Sequence, residues 1–187
     1  SGMADAINCL PAGIKGNKNA VAETIANNVR SKIIKEHLND PAFYDRMSAL
    51  LQEILADLKA ARIDYEEFLK RIATQVVQPL HAGKADDTPA TLDTPGKRAL
   101  YSNLKQAQPR SDHAAGVNDA VGVYEGDGDR ALERALRIHE SVKKRRPHGW
   151  RGVHAKEQII KGALYDVLQD DAEVERLFLI VWAQTEY

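Results

Sequence analysis

Apolar residues recur at steps of three and four along almost the whole chain, and nowhere do they alternate strictly with polar ones. A three-to-four step puts side chains on one face of a helix, whereas a strand needs a step of two. Such a chain can bury its apolar surface only by packing helix on helix. From Asn19 the stripe runs Val21, Ile25, Val29, Ile33. Asp40-Pro41 then offers an N-cap with proline at the first helical position. The next stripe is Phe43, Met47, Leu50, Leu51, Ile54, Leu55 and Leu58. Asp64 with Glu67 has capping-box spacing, and the helix it opens carries Phe68, Leu69, Ile72, Val76 and Leu80.

Glycine, proline and aspartate interrupt the pattern from Pro79 to Thr94, which reads as a linker or long loop. Thr94-Pro95 restarts a helix with Leu100, Tyr101 and Leu104, and Pro109 closes it. A short helix is expected within Ser111 to Val123 and a turn over Gly122 to Gly128. A long helix opens at Asp127 or Gly128 and runs to about Lys144. After Pro147-His148-Gly149 a helix from about Ala155 to Gln169 turns Ile159, Ile160, Ala163, Leu164, Val167 and Leu168 inward. Asp170, with Glu173 three on, caps a last helix that runs to Tyr187 and sets Leu177, Phe178 and Trp182 in the core. The expected fold is all-α and bundle-like, with about seven to eight helices and no substantial sheet. Residues 1–3 read as an expression scar, 4–80 as an N-terminal helical half, 81–94 as linker and 95–187 as a C-terminal helical half. The two halves are expected to share one compact domain.

The formal net charge of -1 argues against a generic nucleic-acid binder. A single cysteine, Cys9, cannot build a disulfide framework within one chain, which fits the cytoplasm. No apolar run suits a bilayer and no signal peptide opens the chain, so no membrane partner is expected. Catalytic patterns are missing too. Gly13-Ile14-Lys15-Gly16-Asn17-Lys18 lacks the spacing and hydroxyl of a phosphate loop. Asp57-Leu58-Lys59, the lone Asp-x-Lys, lies in an amphipathic helix and reads as a solvated face. His139, His148 and His154 have no usual ligand spacing, and Asp119, Glu125, Asp127 and Asp129 lack calcium-loop order. No catalytic residue, metal site or cofactor is assigned.

One constellation remains. Arg130, Arg134, Arg137, Ser141 and Lys144 share a sector of about 80° on one helix. Ala131, Ala135, Ile138 and Val142 lie roughly 100° away and should face the core. From Lys143 to Lys161, the basic Lys143, Lys144, Arg145, Arg146, Arg151, Lys156 and Lys161 stand against Glu157 alone, whereas Asp166 to Tyr187 is acidic. Arg130, Arg134, Arg137, Lys144, Arg145, Arg146 and Arg151 are thus candidates to bind DNA or a partner. Three readings stay open: a solvated face, phosphate contact with duplex DNA, and docking onto an acidic protein. Trp150 reads as an interface anchor or as a ring packed at a helix junction. Asn27, Asn28 and Arg30, on an apolar-striped helix, are further interface candidates, the two asparagines bridging to another helix or domain.

Several short elements in order carry a resemblance. They are Glu23-Thr24-Ile25-Ala26-Asn27-Asn28-Val29-Arg30, Pro41-Ala42-Phe43-Tyr44-Asp45-Arg46-Met47-Ser48-Ala49-Leu50-Leu51 and Ile63-Asp64-Tyr65-Glu66-Glu67-Phe68-Leu69. Thr94-Pro95-Gly96-Lys97-Arg98-Ala99-Leu100-Tyr101-Ser102-Asn103-Leu104, Trp150-Arg151-Gly152 and the closing run from Val174 to Tyr187 complete them. Together they resemble the C-terminal region of the R (motor and restriction) subunit of type I restriction-modification enzymes. One position departs, with His148 standing before Gly149-Trp150 where an acid is expected. The resemblance implies a non-catalytic helical piece of an ATP-dependent type I deoxyribonuclease, with ATP and Mg confined to the parent enzyme. It implies docking of that motor onto the methylase and specificity subunits, with the motor domains of the parent chain as neighbours. The alternative is a sequence-independent module that binds the backbone of duplex DNA through the basic stripe.

Overall fold

Each stripe becomes a helix in the computed structural model, which describes residues 18–107 and 127–187. The fold is all-α and bundle-like, with no strand among the described residues. The elements are α1 (Lys18–Glu36), a 3-10 turn (His37–Asn39), α2 (Pro41–Lys59), α3 (Tyr65–Arg71), a π segment (Ile72–Val77), α4 (Gln78–Ala82), α5 (Pro95–Ala107), α6 (Asp127–Arg145), α7 (His154–Leu168) and α8 (Asp171–Ala183). No helix among the described residues is long and apolar enough to cross a membrane. The helix expected within Ser111 to Val123, Cys9 and Gly13 to Asn17 of the segment compared with a phosphate loop lie outside the described residues, as does most of the Gly122–Gly128 turn.

The chain divides into two units, each with its own apolar core. In the first unit Val21, Ile25 and Ile33 of α1 are buried with Phe43, Met47, Leu51 and Ile54 of α2. Phe68, Ile72, Val76 and Leu80 complete that core. Their steps of four would drift about 40° each around an α-helix. The wider π turn absorbs the drift and keeps all four inside. It also precedes Pro79, whose ring has no N–H and would press on the carbonyl four residues back in a regular helix. Asp64 caps α3, its carboxylate accepting from the Glu67 N–H at 2.8 Å. Asp57 of the Asp-x-Lys triplet pairs with Arg62 at 3.2 Å and Arg71 at 3.5 Å, a structural use.

The second unit is a ring of four helices, in which α5 packs on α6, α6 on α7, α7 on α8 and α8 on α5. Ala131, Ala135, Ile138 and Val142 all reach 0 % exposure, so α6 presents its small face to the core as its periodicity requires. Asp170 caps α8 by accepting from the Glu173 N–H at 3.1 Å. The segment Leu38–Ala42 belongs to this unit. There Asn103, nearly fully buried, donates to Ala99 O at 2.8 Å and Asp40 Oδ1 at 2.9 Å. A buried amide satisfied this way avoids the desolvation cost of an unpaired polar group.

Three expectations are corrected. The last helix stops at Ala183; Gln184 leaves it with extended backbone, and Thr185 and Glu186 form a turn. Trp182 is 45 % exposed rather than in the core. Ile159 is likewise 45 % exposed, because α7 turns Ile160, Ala163 and Leu164 inward instead.

Candidate functional site

The basic residues singled out by sequence fall into two groups with different work. Arg130, Arg134, Arg137 and Lys144 line the outer face of α6, all exposed. Arg137 approaches Glu133 only to 3.9 Å, with both side chains largely in water, so that pair contributes little. Arg130, Arg134 and Lys144 meet no acid among the described residues. The lower end of the row lines an open groove of about 330 Å³ with Glu140, Ser141, Arg145, Asp166 and Val167. Ser141 spends its hydroxyl on Ala163 O at 3.1 Å. Arg145 spends its charge on Asp166 at 2.5 Å across to α7.

Arg146, Trp150 and Arg151 instead hold the end of the chain. Arg146 Nη1 donates to Tyr187 O at 2.6 Å and to Glu186 O at 3.0 Å. Trp150 is 2 % exposed, and its indole N–H donates to the same Tyr187 oxygen at 2.7 Å. Arg151 Nε donates to Trp182 O at 2.9 Å and Nη2 to Gln184 O. Its guanidinium lies over the Trp150 ring, 4.6 Å from the centroid. Burial and the neighbouring Arg146 both pull the Arg151 guanidinium below its ordinary value. Four main-chain oxygens, of Trp182, Gln184, Glu186 and Tyr187, at and beyond the end of α8 are thus met by forked cationic donors. Of the two readings of Trp150, this is the packed junction.

The walls of this staple come from distant parts of the sequence. The Tyr187 hydroxyl lies 2.8 Å from His139 Nδ1, and the two rings meet edge to face at 5.4 Å. Burial pushes the Tyr187 phenol up, and Glu186 adds to this. Burial lowers His139, against the pull of Glu186 and Asp93 and with the push of Lys97 and Lys143. Thr94 Oγ1 donates to Glu186 Oε1 at 3.1 Å. A Cβ on Gly96 would lie 1.9 Å from that carboxylate oxygen and 2.8 Å from the Tyr187 ring. Gly96 is therefore the clearance through which the tail passes. Gly152 holds φ at 76°, which turns the chain after Arg151, and its N–H donates to Glu157 at 2.7 Å.

Fixing the end of α8 also fixes what it displays. Leu179 is 68 % exposed and Trp182, three residues on, 45 %. Both lie on the same helix face as Glu175, which bonds Lys161 of α7 at 2.6 Å. Sequence reading missed this face, although the second half of α8, from Leu177 to Ala183, is apolar all round, and such a stretch needs more than one buried side. In the first unit Asn27 and Asn28 are exposed. Asn27 accepts from Arg30 at 2.9 Å within α1, and neither asparagine bridges to another helix of the unit among the described residues. Asn27 and Arg30 line a surface groove of about 160 Å³ with Glu23, Ala26, Leu55 and Lys59. No cluster of three or more His, Cys, Asp or Glu suited to a metal ion occurs among the described residues.

The geometry defines a helical protein whose second unit is closed by a main-chain staple and displays a basic row and an apolar helix face. No family model, curated protein or solved structure matches the chain.

Proposed function

We propose that the chain is the C-terminal helical interaction domain of a type I restriction enzyme R subunit. In this reading it docks the ATP-dependent translocase and endonuclease onto the methylase–specificity core and performs no chemistry itself. The ordered elements from Glu23 to Tyr187 support the family assignment by resemblance. The observation that carries the docking role is the exposed pair Leu179 and Trp182 on a helix end pinned by Arg151. A tryptophan whose main chain is held before binding loses less freedom on contact, and such rings dominate interface energies.

The test mixes the purified chain with the methylase–specificity core of the same restriction system and follows co-migration by size exclusion. Co-migration is expected, with Leu179→Ala/Trp182→Ala weakening it at least about tenfold, as for loss of an interface anchor. Failure to co-migrate overturns the docking role, and so does an unchanged affinity in the double variant. Magnesium-dependent DNA cleavage by the chain alone overturns the non-catalytic assignment.

A further inference from the structure

The geometry points to a second contact surface, the outer row of α6, as a binding face for the phosphate backbone of duplex nucleic acid. It rests on the sorting of the basic residues and is independent of the restriction-enzyme reading. Arg145, Arg146 and Arg151 are taken by Asp166 and by main-chain oxygens. What remains is Arg130, Arg134, Arg137 and Lys144, exposed along one line. From Arg130 to Lys144 the helix rises about 21 Å, which spans roughly six steps of one DNA strand.

Exposed acids share this helix: Asp129 stands next to Arg130 in sequence, Glu133 lies 3.9 Å from Arg137, and Glu140 lines the groove with Lys144, while Asp166 is held by Arg145. Three of the four cations are arginines, whose planar fork matches phosphate oxygens. Solvated surface charges usually alternate in sign and pair, but three of these four have no partner among the described residues.

Nucleic acid is favoured over an acidic protein because the face has nothing to anchor a protein. None of the exposed large apolar side chains belongs to α6. Protein interfaces draw their energy from buried apolar and aromatic anchors, whereas phosphate contacts draw theirs from released counterions. The chain's net charge of -1 then makes the contact local, weak and insensitive to base sequence.

The experiment is duplex binding by the whole chain, followed by fluorescence anisotropy across a salt series. Four phosphate contacts give a slope near about -3.6 in log affinity against log salt, or roughly 150-fold between 50 and 200 mM. Arg130→Glu/Arg134→Glu is expected to weaken binding at least about tenfold and to halve the slope. Lys70→Glu/Lys84→Glu, exposed in the other unit, makes the same charge change and should leave binding within about twofold. A duplex slope shallower than about -1 overturns the proposal. Equal losses in the two double variants overturn it as well, since only bulk charge would then matter. Poly-glutamate competing as well as duplex at equal charge overturns it in favour of an acidic protein. If the glutamate variant melts early, Arg130→Gln/Arg134→Gln reads the same slope without reversed charge.

Discussion

The indole N–H of Trp150 donates to the main-chain oxygen of Tyr187 at 2.7 Å, joining residues 37 positions apart. Trp150→Phe removes that donor and keeps much of the ring. Arg146 still serves the oxygen, so the expected loss is about 1 kcal/mol. Trp150→Ala also empties the space against Phe178 and should cost about 3–5 kcal/mol. Urea unfolding of both variants separates bond from packing. Equal losses would show that the packing adds nothing beyond the bond, and an unchanged Trp150→Phe would show that the bond adds nothing.

Two glycine substitutions should move stability in opposite directions. At Gly96 an added methyl meets Glu186 and the buried Tyr187 ring, so Gly96→Ala is expected to cost about 1–3 kcal/mol. At Gly162, inside α7, it meets nothing within 4 Å. Gly162→Ala should therefore stabilise by about 0.5–1 kcal/mol through helix propensity. A denaturation midpoint that does not fall for Gly96→Ala would refute the clearance assigned to Gly96.

Ala61 sits in the left-handed region with φ of 54° at the end of α2. Its N–H bonds Leu58 O at 3.1 Å, and that of Arg62 bonds Asp57 O at 2.9 Å. This is a helix stop that normally uses glycine. Ala61→Gly removes the Cβ strain and should raise stability by about 1 kcal/mol, read as a higher thermal midpoint. A lower midpoint would count against strain at this position.

His139 links the staple to pH. Its folded value is lowered by burial, so the folded state favours the neutral ring and the unfolded chain takes up a proton more readily. The contribution is complete above the unfolded value of 6.5 and is lost as pH falls below it through the folded value. Stability should thus decline as pH falls below 6.5, and His139→Gln should flatten that decline. An identical pH profile for the variant would place the titration elsewhere.

The helices were legible because their signals are local. Asp64 and Asp170 announce their caps, and the alanine face of α6 announces its burial. The staple was not, because charge in a sequence does not say what a charge meets. Arg146 and Arg151 look like Arg130 and Arg134 in a basic run, yet the first pair binds carbonyls from the far end of the chain. Trp182 was misplaced for a related reason. Periodicity assigns a buried face, but an apolar helix has too many candidates for it, and neighbours decide. Nothing in the sequence ties His139, Gly96 and Thr94 to the tail, since these roles arise only where Glu186 and Tyr187 come to rest.

The π segment Ile72–Val77 has a consequence for insertions and deletions. A π turn holds one residue more than the α turn it replaces. Deleting Thr74 would shorten the steps among Phe68, Ile72, Val76 and Leu80 from four, four and four to four, three and four. That is the register of an ordinary α-helix, so the same four side chains could still face one core. This stretch is thus a place where chain length can change by one residue without exchanging inside for outside.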